Sequence, residues 1–129
     1  MKDIQVPISP GELLDKITIL RIKAARMTDP VKVSNVKHEL SLLEKTWRDS
    51  GAAAVSLGDE EANLTRVNEQ LWVIEDDIRD EERARRFGEK FIQLARAVYV
   101  TNDERAAIKK RINTLLGSSI VEEKSYKQY

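Results

Sequence analysis

Residues 9–27, SPGELLDKITILRIKAARM, decide the architecture, because this stretch opens like a helix and carries apolar side chains on more than one face. Ser9 begins it with S-P-G-E, a capping box in which the Ser9 hydroxyl accepts from the Glu12 amide and Glu12 reaches back, with Pro10 at the first helical position. Asp29-Pro30 closes it and at once supplies a cap and a first-turn proline for the next helix. On a wheel advancing about 100° per residue, Leu13, Ile17, Leu20 and Ala24 gather on one side, widened by Leu14 and Ala25. Ile19 and Ile22 fall nearly opposite, among Glu12, Asp15, Lys23 and Arg26. A surface helix ordinarily has one apolar stripe. The second sector leaves two readings open. Either this helix is the central element, covered by other helices or by a second subunit, or Asp15, Lys16, Ile19, Ile22, Lys23 and Arg26 form a surface with an apolar centre and polar rim that receives a partner or ligand.

Working outward, KDIQVPIS upstream alternates apolar and polar residues, and Pro7 and Pro10 prevent a helix, so residues 1–8 read as an extended arm. It could lie across the bundle or pair with its copy. Downstream, Val33, Val36, Leu40, Leu43 and Trp47 recur at steps of three and four, ending near Ser50-Gly51. GAAAVSLG at 51–58 is a small-residue linker. Leu64, Val67, Leu71, Ile74 and Ile78 mark a third helix, broken at Arg86-Phe87-Gly88. A fourth holds Phe87, Phe91, Leu94, Ala95 and Val98. T-N-D-E at 101–104 resembles a second capping box and predicts a fifth helix with Ile108, Ile112 and Leu115 inward, closed by Leu116-Gly117. Residues 118–129 show no period and read as a tail. The expected fold is a single all-α domain over 1–129, an antiparallel bundle of four or five helices. Near-heptad spacing in the second and third helices predicts either an antiparallel hairpin between them or a seam between chains.

Bulk composition narrows the chemistry. The 129 residues are 41% hydrophobic, which allows one core. There is no long apolar run and no signal-peptide pattern, so a soluble, cytoplasmic protein without a membrane span is expected. With no cysteine and one histidine, His38, disulfides, thiol nucleophiles and multi-histidine metal centres are out of reach. Lys and Arg number 22, as do Asp and Glu. The zero hides blocks: residues 1–58 hold 9 basic and 7 acidic side chains, 59–82 hold 2 and 10, and 83–129 hold 11 and 5. Helices carrying the last two blocks can neutralise each other, or meet a charged partner.

Among candidate chemical groups, Glu75 borders the third helix's apolar stripe, beside Trp72 and Arg79. It could bridge to Arg21, Arg79 or Arg105, hold a hard cation, or act as a base. An enzyme reading follows all-α, magnesium-dependent nucleotide pyrophosphatases, whose helical carboxylates stand one turn apart. Here Glu12/Asp15 and Asp77/Asp80 have that spacing, giving Asp15, Glu75, Asp77 and Asp80 as a possible Mg set. The expected E-x-x-E half is missing, and Glu12 is engaged by the cap. No phosphate loop, dinucleotide fingerprint or nucleophile elbow is present. The basic clusters Arg83/Arg85/Arg86 and Lys109/Lys110/Arg111 lack interleaved aromatics, which disfavours nucleic acid.

VPISPGELLDKITILRIK at 6–23, LWVIEDDIR at 71–79 and FIQLARAVYVTNDERAAIKKRIN at 91–113 resemble a family of small bacterial proteins of unknown function, over nearly the whole chain. The pattern falls on Ser9, Gly11, Glu12, Asp15, Lys16, Glu75, Arg79, Asn102, Arg105, Lys109 and Asn113. The resemblance implies a polar cluster of Glu75, Arg79, Asn102 and Arg105, and a setting among glycosyltransferases of cell-envelope polysaccharide assembly, but no reaction. The expected function is therefore a helical interaction module, a homodimer through the first helix with the N-terminal arm as a second candidate contact, binding a protein partner or ligand without a cofactor. The Mg-dependent enzyme is the alternative.

Overall fold

A computed structural model describes residues 1–129. It contains four α-helices: α1 Pro10–Arg26, α2 Pro30–Asp49, α3 Glu60–Arg83 and α4 Glu89–Leu115, with a short 3-10 turn at Ala52–Ala54. The chain starts α1 where its chemistry requires. Ser9 has extended backbone angles, and its hydroxyl accepts from the Glu12 amide at 3.2 Å. The reciprocal half of the capping box does not form, because the Glu12 carboxylate is drawn to Lys109 on α4. Asp29 caps α2 by accepting from the amides of Val31 and Lys32, ahead of Pro30. Gly51, with φ of 82°, ends α2 in the left-handed region.

Of the two readings of the first helix, the structure makes α1 the central element. It packs on each of α2, α3 and α4, while α3 and α4 pack along each other. Leu14 from α1, Leu64 and Val67 from α3, and Ile108 and Ile112 from α4 form the closed core, with Trp47, Leu57 and Leu116 against it. Each such aliphatic side chain contributes about 1.5–3 kcal/mol through burial. Ile22 is 5% exposed, covered by the protein's own helices. It therefore cannot serve a dimer interface, which corrects its place in the α1 surface. Nor is α1 hidden around its full circumference, since Lys16, Arg21, Ala25 and Arg26 face solvent.

The expected all-α bundle of four or five helices is observed, and the structure decides three of its details. There are four helices, not five, because α4 runs unbroken through T-N-D-E. Neither Gly nor Pro interrupts residues 89–116, and Leu94, Val98, Thr101, Arg105, Ile108 and Ile112 continue one face at steps of three and four. Thr101 is buried within the helix rather than capping it. The hairpin forms between α3 and α4, whereas α2 rests on α1 with no residue fully buried. The arm is exposed at Ile4 and Val6, and neither forms a strand. Its one tethered apolar residue, Ile8, shares a shallow apolar hollow with Leu13, Trp47 and Leu116.

Charge blocks neutralise within the chain. Glu60 accepts from Arg111 at 2.9 Å, and Arg66 donates to Glu104 at 2.6 Å, which fixes α3 and α4 antiparallel. At the hairpin turn Glu81 is buried and accepts from Arg86 Nε at 2.6 Å, with Lys90 Nζ at 3.4 Å. The Arg86 hydrogen bond is the largest influence on the Glu81 carboxyl and holds it below its ordinary range, with Lys90 acting the same way. Arg85 takes φ of 58°, so the chain reverses at a residue in the left-handed region. The tail runs back along α4 and brings Tyr129 against Tyr99, with ring centroids 5.1 Å apart.

Candidate functional site

The first turn of α1 meets the last turns of α4 at Gly11. A Cβ there would lie 2.5 Å from the Lys109 carbonyl oxygen and 2.8 Å from Asn113 Oδ1, so only glycine permits this approach. The closeness is used: the Gly11 amide donates to Asn113 Oδ1 at 2.7 Å. Ser9 donates to Glu122 of the tail while receiving the Glu12 amide. One turn along α4, Lys109 Nζ stands between two carboxylates of α1, 2.5 Å from Glu12 and 3.7 Å from Asp15. Asp15 is 4% exposed and accepts from Asn68 Nδ2 of α3 at 2.8 Å. The same Nδ2 donates to the Thr18 hydroxyl at 3.0 Å, and Thr18 donates to the Asp15 carbonyl oxygen at 2.8 Å. Three helices are thus stitched by one polar network, with no buried side-chain polar atom unpartnered.

Burial raises the proton affinity of Glu12, but the hydrogen bond and charge of Lys109, aided by Lys16 and Arg105, outweigh it and leave the carboxyl below its ordinary range. The folded chain thus binds that proton more weakly than the unfolded one. The contribution is complete above the ordinary carboxylate range and lost as pH falls through the depressed folded value. We expect Glu12→Gln to lower the urea midpoint near neutrality, where the contribution is complete, and to converge on the unaltered protein as pH falls through the depressed value, so that the acid limb flattens. An unchanged acid limb would remove Glu12 as its source.

Beside the network lies an open cleft of about 400 Å³ between α1, α3 and α4. Ile19 supplies the α1 wall, Asn68, Leu71, Trp72, Glu75 and Asp76 the α3 wall, and Asn102 and Arg105 the α4 wall. Three of the four residues of the expected polar cluster, Glu75, Asn102 and Arg105, therefore converge. Arg79 is the fourth and stands at the periphery, exposed and paired to Glu75. Of the α1 surface set, Asp15 is inside the network, Ile19 lines the cleft, Lys23 is half-buried, and Lys16 and Arg26 are exposed. The alternative metal set is not gathered. Asp15 is committed to Asn68 and Lys109, Glu75 to Arg79, and no group of three or more His, Asp or Glu side chains is placed to hold a cation.

A family model described as a family of unknown function, DUF6165, matches residues 4–129. The chain belongs to DUF6165. No curated protein and no solved structure matches it. In this DUF6165 chain the residues that carry the sequence resemblance are scattered over α1, α3 and α4, and all but Lys16 and Arg79 meet in space. Ser9, Gly11, Glu12, Asp15, Lys109 and Asn113 build the network, and Glu75, Asn102 and Arg105 line the cleft. Reading candidate sites from the sequence missed Thr18, Asn68 and Trp72. Asn68 had a visible signal, a polar residue bordering the α3 stripe. Thr18 had none, since its burial depends on α3 crossing α1 at that height.

Proposed function

We propose that this protein acts by binding, as a helical interaction module that pairs with a second copy through the far half of the α3–α4 hairpin. One observation carries the reading. Beyond Leu71 on α3, and before Ile108 on α4, no apolar side chain is fully buried, although Ile74, Ile78, Phe91, Leu94 and Val98 form facing stripes. α1 lies alongside α4 from Asn113, opposite Gly11, to the neighbourhood of Thr101, where Arg26 ends it. Residues 89–100 then extend about 18 Å further with α3 as their packing partner. Two helices cannot enclose a core; four can.

Further apolar surface lies open on the same hairpin: Val73 is 45% exposed, Phe87 51%, Ile92 47% and Val100 47%. Charge favours a copy of the same chain. Asp77 and Asp80 have no ion pair, and neither do Arg83 and Arg85 nearer the turn. Two hairpins docked antiparallel about a two-fold axis bring each turn's arginines toward the other's aspartates. The enzyme reading is not favoured, because its carboxylates are dispersed or already paired.

Sedimentation velocity across a dilution series tests this. The expected mass is twice 14.8 kDa at high concentration, falling toward the monomer near about 1 μM if pairing supplies about 8 kcal/mol. Ile92→Glu is on the exposed surface and should shift the midpoint at least about tenfold, equivalent to 1.4 kcal/mol, while leaving the helical circular dichroism unchanged. A monomer at every concentration would remove the proposal.

A further inference from the structure

We infer that the cleft between α1, α3 and α4 binds a small zwitterion with an apolar group, of the free α-amino-acid type. This goes beyond the pairing proposed above and does not rest on it. The argument starts at Asn68, whose orientation is forced. The Thr18 hydroxyl spends its proton on the Asp15 carbonyl oxygen, so toward Asn68 it can only accept. Asp15 Oδ1 accepts from the same nitrogen. Both amide protons of Asn68 are consumed, and Oδ1 is the remaining end. It receives no protein donor, in a residue 5% exposed that lines the cleft. Since no unpartnered side-chain atom is sealed from solvent, this oxygen is reached from the cleft. It is a fixed acceptor that calls for an N–H or O–H donor.

The opposite wall calls for an anion. Asn102, Arg105 and Lys109 share one face of α4 at steps of three and four. Lys109 is satisfied by two carboxylates, whereas the half-buried Arg105 forms neither an ion pair nor a hydrogen bond, and the half-buried Asn102 side chain forms none either. A guanidinium offers five donors in a planar fork that fits a carboxylate, and the Asn102 amide can add another. Arg105 does act on Glu12 through its charge, but Glu12 is bonded to Lys109.

On the α3 wall Asp76 has no ion pair, and the Glu75 carboxylate is held by Arg79. The unpaired charges of the cleft are therefore one cation and one anion on facing walls. A phosphate dianion would meet Asp76 and Glu75, and a simple amine would meet Arg105. A molecule bearing both signs satisfies both walls, with its carboxylate at Arg105 and its ammonium toward Asn68 Oδ1 and Asp76. Between them Ile19, Leu71 and Trp72 supply an apolar surface for a side group, in a volume ordinary for small-ligand sites.

The test is isothermal titration of the unaltered chain with L-leucine, N-acetyl-L-leucine and L-leucinamide as probes, with Trp72 fluorescence read in a Trp47→Phe background. The expected result is saturable binding of L-leucine, weakened at least about tenfold when either the ammonium or the carboxylate is blocked, the size of one lost charge-assisted hydrogen bond. Arg105→Gln should weaken it by a similar factor, with the helical circular dichroism of the free protein unchanged. No saturation by about 10 mM, beyond the millimolar end of specific affinity, would overturn the assignment. So would equal binding of the acetylated or amidated probe, or indifference to Arg105→Gln. Sedimentation of the same samples reports pairing separately, so one reading can fail while the other stands.

Discussion

Lys109→Met lowers the unfolding free energy by about 3 kcal/mol at neutral pH, the lower end of the cost of breaking a buried ion pair. The reason is what remains behind. The Lys109 side chain is 15% exposed and is the one cation bonded to both Glu12 and Asp15, whose side chains are 32% and 6% exposed. Methionine keeps the length of the stem but leaves two carboxylates facing each other without it. Asp15 retains only Asn68 as a side-chain donor. The lower end is expected because Glu12 can turn toward water, whereas Asp15 cannot. Adding Glu12→Gln should restore part of the loss, since one of the two stranded charges is gone. Urea denaturation of the three variants measures it. A loss below about 1 kcal/mol would class the network with surface ion pairs.

Gly11→Ala is expected to cost about 2–4 kcal/mol, combining overpacking with the loss of a buried hydrogen bond. A methyl group at that position meets the Lys109 carbonyl oxygen at 2.5 Å, and a helix backbone cannot yield as a flexible side-chain end does. α1 must move away from α4, which lengthens the 2.7 Å Gly11 to Asn113 bond and shifts Glu12 from Lys109. In a helix interior the same exchange usually stabilises, by about 0.5–1 kcal/mol. The sign of the change in urea midpoint therefore discriminates. A neutral or stabilising Gly11→Ala would mean that α1 and α4 are not in contact at this height.

The helical plan was legible because it rests on local chemistry. Ser9, Asp29 and Gly51 act through their own and adjacent backbone groups, and each stands where its cap or turn residue predicts. The two-sided apolar distribution of α1 allowed a central helix or a partner surface, and the structure chose the first by placing both Leu13 and Ile22 out of water. T-N-D-E misled because a capping box and an ordinary stretch of helix share residue types. What chooses between them is whether the flanking stripes join, and here Val98, Thr101 and Ile108 lie on one continuous face.

The site was legible only in part. Glu75, Asn102 and Arg105 could be marked as polar residues beside apolar stripes, but their meeting depends on α1 crossing the α3–α4 hairpin. That crossing also hid Ile22 within the chain and moved the unpartnered apolar surface from α1 to the hairpin's far half. By itself, the sequence determined which segments are helical and where the first two start, because capping and periodicity are properties of neighbours along the chain. Only the tertiary structure decided that Lys109 serves two carboxylates while Arg105, one turn away, serves none. Ion pairing is set by distances between helices, and no local pattern encodes them.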